Sequence, residues 1–146
     1  MEFTIVPMEE SHRESILSMM WTFYASPAVL TNGSEAIFTA DIDACVGENP
    51  YLEGFVFCEG EELLGYGMAA KSFSTEFGKK CIWIEDLYVV PQYRGRGIGS
   101  AFLEFMTRRY PDSILRLEVE EENERAIAVY RNSGFEVLPY MEMKKE

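Results

Sequence analysis

Apolar positions in the first third of the chain predict one short strand followed by two helices. The run over residues 3–6, closed by Pro7, is typical of a short opening strand. Ser11 and Glu14 have the spacing of a helix capping box. The apolar residues that follow repeat at i, i+3, i+4 and i+7, and we predict that they form the buried face of a first helix: Ile16, Met19, Met20 and Phe23. A second helix is predicted over residues 35–46, after the turn sequence Asn-Gly-Ser.

The rest of the chain alternates between strand-like and helix-like patterns. Two apolar runs, residues 55–58 and 63–70, flank an acidic turn and predict a hairpin. Residues 81–90 are rich in Ile, Val, Trp and Tyr, which predicts a longer strand that ends at Pro91. Beyond a glycine-rich turn, the predicted elements are a helix from Ile98 to about Tyr110, a strand over 114–119, a helix over 123–132 and two short strands over 135–138 and 140–143.

These elements predict an α/β (mixed α+β) fold in the order β-α-α-β-β-β-α-β-α-β-β. With 146 residues, of which 47% are hydrophobic, the chain is long enough for one domain with a buried core, and we expect that domain to span residues 1–146. The sequence contains no linker, internal repeat or low-complexity segment that would divide it.

Acidic side chains outnumber basic ones by 25 to 13, which gives a formal net charge of −12. This charge argues against a nucleic-acid partner, because phosphate neutralisation needs a basic surface, and equally against an anionic membrane surface. It suits a cationic small molecule. The chain has no apolar run near the roughly 18 residues of a membrane span, and its first residues lack the features of a signal peptide. We therefore expect a soluble cytoplasmic protein.

Cysteine and histidine usage gives no support for a metal site. Cys45, Cys58 and Cys81 are widely spaced, and none belongs to a C-x-x-C pair. The single histidine, His12, lies among charged residues. We therefore expect neither a bound metal nor a Ser-His-Asp hydrolase.

The most specific signal is the turn Arg94-Gly95-Arg96-Gly97-Ile98-Gly99-Ser100, which joins a predicted strand to a predicted helix. Backbone N–H groups of such a turn, without Cβ atoms to obstruct them, can hold a phosphate group at the helix N-terminus. The alternative is a tight turn, but that would require only one glycine. The spacing fits neither a P-loop, which needs Gly-Lys-Ser/Thr, nor the G-x-G-x-x-G fingerprint of dinucleotide-binding domains.

Two motifs resemble those of the GNAT family of N-acetyltransferases. The first is Arg94-x-x-Gly97-x-Gly99, which follows residues 87–91 and is similar to the acetyl-CoA-binding motif of the family. The second, over residues 123–135, is similar to the pattern N-x-x-A-x-x-x-Y-x-x-x-G-F. Both occur in the order of the family, with a predicted strand between them. The resemblance implies a single GNAT-like domain whose mixed central sheet splays apart at the cofactor strand.

The resemblance also implies how the chain would bind acetyl-CoA, the expected cosubstrate. Free backbone groups of Leu87, Tyr88 and Val89 would pair with the pantetheine arm. Asn123 would hydrogen-bond the pantetheine, and Ala126 would leave room beside it. The pyrophosphate would be held by the amides of the turn and by two arginines at its rim: Gly95, Gly97, Ile98, Gly99 and Ser100, with Arg94 and Arg96.

Three acidic residues and a tyrosine are candidates for the chemistry. Tyr130 matches the usual general acid of the family, which protonates the leaving CoA thiolate. A carboxylate is needed to take a proton from the amine. Glu85, before the cofactor strand, and Glu118, on the adjacent strand, compete for this role. Glu85 and Asp86 interrupt an apolar strand, and a Glu-Asp pair at this place binds a cationic chain in the small-amine subgroup of the family; the alternative for every one of these acids is a solvated charge.

The expected substrate is a primary amine of a small cationic molecule. Residues 73–77 and 84–89 resemble the subgroup that acetylates polyamines, thialysine and related amines, and aminoglycoside acetyltransferases share some of these features. Two alternatives stay open: a protein N-terminal or lysine acetyltransferase of the same fold, and a non-catalytic acyl-CoA-binding module. The resemblance also implies a homodimer.

Overall fold

A computed structural model describes residues 2–146, which contain five strands and four α-helices. In chain order these are β1 (Thr4–Pro7), α1 (Arg13–Tyr24), α2 (Glu35–Val46), β2 (Leu52–Glu59), β3 (Glu62–Ser74), β4 (Lys79–Val89), α3 (Ile98–Arg109), β5 (Ile114–Leu117) and α4 (Glu124–Asn132). Short 3₁₀ turns, Glu10–His12 and Pro91–Tyr93, follow β1 and β4. No helix in this range is long and apolar enough to cross a membrane.

All five strands form one mixed sheet in the order β1-β2-β3-β4-β5. The first four strands are antiparallel neighbours, joined by the β2–β3 hairpin that the sequence predicts and by a second hairpin between β3 and β4. Strands β4 and β5 are parallel, because α3 carries the chain back along the sheet between them. The mixed α/β fold predicted from the sequence is confirmed.

Helices cover both faces of the sheet and bury a separate apolar core on each. On one face, Ile16 of α1 and Phe38 of α2 pack with Val56 of β2. On the other face, Phe102 of α3 packs with Phe57, the next residue of the same strand. Successive strand residues thus serve opposite cores, as the pleat requires. Each fully buried ring of this kind contributes roughly 1.5–3 kcal/mol relative to an exposed one.

The chain after α4 forms no strand within the described residues, so the two strands predicted over 135–138 and 140–143 are wrong. Pro139 lies between them, and a proline cannot donate a ladder hydrogen bond. Strand β5, the outer strand of the sheet, spans only four residues instead of the predicted 114–119 and offers a short edge for pairing. The apolar side chains of the last segment stay exposed: Val137, Tyr140, Met141 and Met143.

The predicted start of α2 after the Asn-Gly-Ser turn is confirmed, whereas the predicted capping box of Ser11 and Glu14 is wrong. Ser34 is the N-cap of α2, and its hydroxyl accepts a hydrogen bond from the Ile37 N–H at 3.2 Å. Ser11 lies inside the 3₁₀ turn before α1, where Nδ1 of His12 accepts from the Glu9 N–H at 3.0 Å. That turn brings the chain into α1 already in a helical conformation, so Ser11 is not in the extended position that a capping residue needs.

Replacing Ser34 with alanine should lower the free energy of unfolding by about 1 kcal/mol, because the N–H of Ile37 loses its acceptor. Ser11→Ala is the matched control, and we expect it to change stability by less than about 0.5 kcal/mol. Urea denaturation followed by circular dichroism measures both variants. Equal losses for the two serines would contradict the assignment of the cap.

Candidate active site

The sheet opens at a β-bulge in β4. Met68 of β3 pairs with Asp86, whereas the next residue, Ala69, pairs with Ile84, so Glu85 is an extra residue without a partner of its own. A bulge bends its strand and increases the local twist. Strand β5 pairs with β4 only as far as Ile84. The two parallel strands therefore separate from this point onward.

The separation leaves the second half of β4 with a free edge. Strand β4 continues to Val89, whereas β5 ends at Leu117, opposite Ile84. Leu87 and Tyr88, which with Val89 are predicted to pair with a pantetheine arm, lie on this stretch. Unpaired N–H and C=O groups at a strand edge can bind an extended ligand as an added strand would bind. The splayed sheet that the sequence implies is present.

A cleft of about 720 Å³ lies along this free edge. Strand β4, the glycine-rich turn, the start of α3 and helix α4 supply its walls. The cleft is lined by every residue predicted to bind the cofactor except Arg96: Leu87, Tyr88, Val89, Arg94, Gly95, Gly97, Ile98, Gly99, Ser100, Asn123, Ala126 and Tyr130. The fold thus brings together two motifs that are more than twenty residues apart in the chain.

The glycine-rich turn has the geometry of an anion cradle. Gly95 and Gly97 have left-handed φ angles of 78° and 82°, and Gly97 is the N-cap of α3. A Cβ on Gly97 would meet no atom of the described chain within 4 Å beyond its own neighbours. The first amides of α3 and the positive end of its dipole therefore adjoin open space, which fits a phosphate group.

The two arginines of the turn are engaged with aromatic rings. Nε of Arg94 donates to the Val89 carbonyl at 2.7 Å, and its guanidinium lies 5.4 Å from the centre of the Tyr88 ring. Arg94 thus ties the turn to the end of β4 while it lines the cleft. The Arg96 guanidinium lies 5.3 Å from the ring centre of Tyr93.

Arg125 is a cation of the cleft that the sequence analysis missed. It lies in the first turn of α4, lines the cleft, and places Nη2 3.5 Å from the position that a Cβ on Gly95 would occupy. A cation near a helix N-terminus is unfavourable by itself, because the dipole is positive there. An anion bound at the turn would compensate both the charge of Arg125 and the positive end of the helix dipole. The sequence signal for this residue was therefore an arginine in the first turn of a predicted helix.

A second cleft, of about 560 Å³, adjoins the first and is acidic. Its walls come from the segment between α1 and α2, from the bulge in β4, and from the chain that follows β5. Tyr130 is half-buried where the clefts meet, and burial raises its pKa. Seven residues line both clefts: Phe23, Ala28, Leu87, Glu120, Asn123, Ala126 and Tyr130.

Asp86 is a buried carboxylate in the wall of the acidic cleft, only 5% exposed. The Tyr24 hydroxyl donates to its Oδ1 at 2.9 Å, and the Tyr66 hydroxyl donates to its Oδ2 at 2.8 Å. Burial raises the pKa of Asp86, and these two hydrogen bonds oppose that rise. The structure therefore gives both oxygens of this predicted substrate-binding residue a partner from the protein.

Glu85, in contrast, keeps its contact with solvent in the cleft. Partial desolvation raises its pKa, and the negative charges of Asp86 and Glu142 raise it further. Asp41 of α2 belongs to the same group of acids: burial, followed by the charges of Asp86 and Glu85, raises its pKa to about 6. Glu85 in the cleft and the neighbouring Asp41 thus retain protons more strongly than free carboxyl groups do.

Glu118 also lines the acidic cleft, where it meets Glu142 of the last segment. A hydrogen bond between the two carboxyl groups, followed by burial and by the charge of Glu142, raises the pKa of Glu118 to about 7. The sequence analysis missed Glu142, because it lies in a segment predicted to be a strand and only the tertiary fold brings it to Glu118. No group of three or more His, Cys, Asp or Glu side chains in residues 2–146 is arranged to hold a metal ion.

The overall fold of this chain is similar to that of a solved acetyltransferase. The chain superposes on AAC(6')-Iy, solved in complex with the bisubstrate analogue CoA-S-monomethyl-acetylneamine, with a TM-score of 0.82 and 15% sequence identity. The match covers 100% of this chain and 99% of that one. This likeness establishes the fold.

Sequence comparison establishes the family. The profile of the acetyltransferase (GNAT) family matches residues 14–135, and the chain belongs to this family. The thialysine N-epsilon-acetyltransferase of Caenorhabditis elegans is 31% identical over 134 residues, which are 88% of this chain and 79% of that protein. The protein of the same name from Bos taurus is 40% identical over 83 residues, 55% of this chain and 48% of that protein. The chain spans about half to three-fifths of the length of its mammalian relatives.

Replacing Glu142 with glutamine should flatten the dependence of stability on pH. The pKa of Glu118 rises from 4.5 to about 7 on folding, so the folded chain binds more protons than the unfolded chain between these values. Stability therefore falls as pH rises through this range, because the hydrogen bond and the charge of Glu142 oppose the ionisation of Glu118 in the folded chain. We expect Glu142→Gln to gain up to about 1 kcal/mol at pH 8, the upper range for exposed charge pairs, and little at pH 4.

Thermal unfolding at a series of pH values measures this effect. Glu136→Gln, which removes an exposed carboxylate from the same segment, is the matched control and should keep the pH dependence of the parent. Parallel curves for the parent and Glu142→Gln would show that Glu118 and Glu142 do not share a proton.

Proposed function

We propose that this chain is an acetyl-CoA-dependent N-acetyltransferase that transfers an acetyl group directly to a primary amine of a small cationic molecule. The observation that supports the proposal is that two clefts adjoin, one suited to an anion and the other to a cation. One ends in an anion cradle and the other is lined by carboxylates, and both reach Tyr130 at the gap between β4 and β5.

The first cleft suits acetyl-CoA along its whole length. The turn from Gly95 to Ser100 would hold the pyrophosphate, with Arg94 and Arg125 adding positive charge. The free edge over residues 87–89 would hydrogen-bond the pantetheine arm, and Asn123 would do so from the opposite wall. When bound, acetyl-CoA supplies the thioester whose acetyl group is transferred.

The acidic cleft would provide what the amine needs. A primary amine with a pKa near 10.4 is almost entirely protonated at pH 7, and its deprotonation costs about 4.6 kcal/mol at 1.36 kcal/mol per pKa unit. A carboxylate of the cleft would attract the ammonium and accept one proton, either directly or through one water. Raised proton affinity makes such a carboxylate a better base, so the shifts at Glu85 and Glu118 support this role.

The transfer then needs one acid on the opposite side of the reacting carbon. The neutral nitrogen forms the new C–N bond as the C–S bond breaks, and unpaired amides of β4 would stabilise charge on the carbonyl oxygen. Tyr130 would give its hydroxyl proton to the leaving sulfur, and the second proton lost by nitrogen would restore the tyrosine. No covalent link to the protein is required.

Of the two candidate bases, we favour Glu85. Glu85 is next to the free edge of β4 and has no cross-strand partner, so its carboxylate is available to an amine. Glu118 lies farther along the cleft wall beside Glu142, whose hydrogen bond and charge raise its pKa, and the negative charges of this pair suit the attraction of a cation. Asp86 contributes negative charge to the same cleft.

The substrate class rests on the charge of the cleft and on the relatives named for thialysine acetylation. A polyamine, a diamine, an amino-acid-like amine and an aminoglycoside all present the cationic primary amine that this cleft suits. A protein N-terminus or lysine would also be attracted, and an amine screen distinguishes these acceptors. Location in the cytoplasm, expected from the sequence, and assembly as a homodimer, expected from the family resemblance, stay predictions.

Replacing Gly97 with valine should weaken acetyl-CoA binding at least tenfold, about 1.4 kcal/mol, because a side chain would enter the space beside the first amides of α3. Gly78→Val is the matched control. Gly78 has a similar left-handed φ of 65° and equally open surroundings, but it lies in the turn between β3 and β4. Titration calorimetry should show normal binding for that variant. If both variants bind like the parent, the turn does not hold the pyrophosphate.

Replacing Tyr130 with phenylalanine should reduce turnover by roughly 100-fold, since it removes the general acid and keeps the ring. Release of the free CoA thiol from acetyl-CoA, measured with a panel of diamines, polyamines, aminoglycosides and lysine peptides, provides the assay. Acetyl-CoA affinity should not change. Tyr93→Phe removes the hydroxyl of a residue that lines the first cleft and not the second, and this control variant should keep normal turnover. Absence of thiol release by the parent with every amine would instead indicate a non-catalytic acyl-CoA-binding module.

A further inference from the structure

We infer that Tyr24, Asp86 and Tyr66 form a positioning group that holds and activates Glu85, and that Asp86 acts on the acceptor amine through Glu85 without touching it. This inference rests on the proposed function. It assigns Asp86 a different role from direct substrate binding, and it gives Tyr24 and Tyr66 a role in the reaction.

The first argument is the burial and saturation of Asp86. Its side chain is almost completely withdrawn from solvent, and each oxygen accepts a hydrogen bond from a tyrosine hydroxyl. A substrate ammonium would have to displace one of these donors from a packed environment. Tyr66 is fully buried, and Tyr24 packs with its ring centre 5.0 Å from that of Phe38. Direct contact with the amine is therefore left to the neighbouring acid, Glu85.

The second argument is the bulge. Glu85 is the extra residue of β4, so no cross-strand pair fixes its direction. The next residue, Asp86, is anchored to Tyr66 on β3 and to Tyr24 at the end of α1. This anchor holds the backbone on one side of the bulge. It also couples the strand to α1, whose Phe23 lines both clefts.

The third argument is electrostatic. The two partners of Asp86 are neutral hydroxyl donors, which stabilise the ionised carboxylate but leave its negative charge uncompensated. That charge makes it harder for the adjacent Glu85 to give up a proton, so Glu85 becomes a stronger base. The other titratable groups coupled electrostatically to Glu85 or Asp86 are three acids and a thiol, none of which is a cation: Asp41 and Cys45 of α2, Glu118 after β5 and Glu142 of the last segment.

Neutralising Asp86 tests the inference without a change of shape. In Asp86→Asn, Glu85 should titrate at lower pH, because the neighbouring charge is gone. The acidic limb of the pH profile of kcat/KM should move in the same direction, and the plateau should fall at least tenfold for the best amine. Tyr24→Phe, which removes one donor and keeps the ring, should produce a smaller change of the same kind, about threefold. Acetyl-CoA affinity should stay the same in both variants.

Two measurements separate this inference from the proposed function. The carboxyl titration of Glu85 is followed by carbon-13 NMR, with Glu85→Gln to assign the signal, and needs no acetylation. A shift of that titration with no acetylation of any amine by the parent would support the positioning group and contradict the proposed function. Unchanged titration of Glu85 in Asp86→Asn, or a pH limb that does not move, overturns the positioning role.

Two further variants keep the test decisive. Tyr110→Phe removes another tyrosine–carboxylate hydrogen bond, to Glu53, and should leave the titration of Glu85 and the kinetics unchanged. If Asp86→Asn does not fold, Tyr24→Phe and Tyr66→Phe carry the same measurement. A loss of thermal stability in these variants with no change in the titration of Glu85 would assign the tyrosines a structural role only, and the inference would be wrong.

Discussion

One extra residue in β4 determines the geometry of both clefts. Neighbouring strands of a sheet lie about 4.8 Å apart, so a closed pair of strands leaves no room for a ligand between them. The insertion of Glu85 shifts the register against β3 and bends the strand just where its pairing with β5 ends. A buried parallel pair thereby becomes a cleft with a free backbone edge. The glycine-rich turn, this edge and Tyr130 line one cleft, as the proposed acyl transfer requires.

Strand β4 also connects two regions of opposite electrostatic preference, one at its end and one at the bulge. The end of β4 leads to the N-terminus of α3 and to Arg94 and Arg125, where a phosphate group is favoured. The bulge itself carries Glu85 and Asp86, where an ammonium is favoured. This arrangement suits the proposed reaction, in which two substrates of opposite charge approach from different sides and meet at the gap. The formal net charge of −12 reflects the acidic cleft and does not reveal the arginines beside the glycine-rich turn.

Local signals made much of this predictable, and tertiary contacts account for the rest. The cap at Ser34 and the glycine turn over residues 94–100 depend on short stretches of backbone, so the sequence displays them directly. The sequence singles out Asp86 as a candidate for binding the amine, but it does not reveal the two tyrosine partners, which are distant along the chain. Glu142 is similar, because it reaches Glu118 only when the last segment fails to pair as a strand. A pairing partner and a burial state are properties of the fold, which a local pattern does not contain.

The choice of tyrosines around Asp86 has a physical reason. Burial of an unpaired carboxylate costs several kcal/mol, and a hydrogen bond to a charged group contributes about 1.5–3 kcal/mol, so two donors offset much of that penalty. An arginine or lysine in their place would stabilise the charge more but would also cancel its field in the cleft. Neutral donors oppose the rise in pKa that burial causes and do not cancel the field of the ionised carboxylate. A buried anion of this kind suits a position beside a group that accepts a proton, which is the role that we propose for the adjacent Glu85.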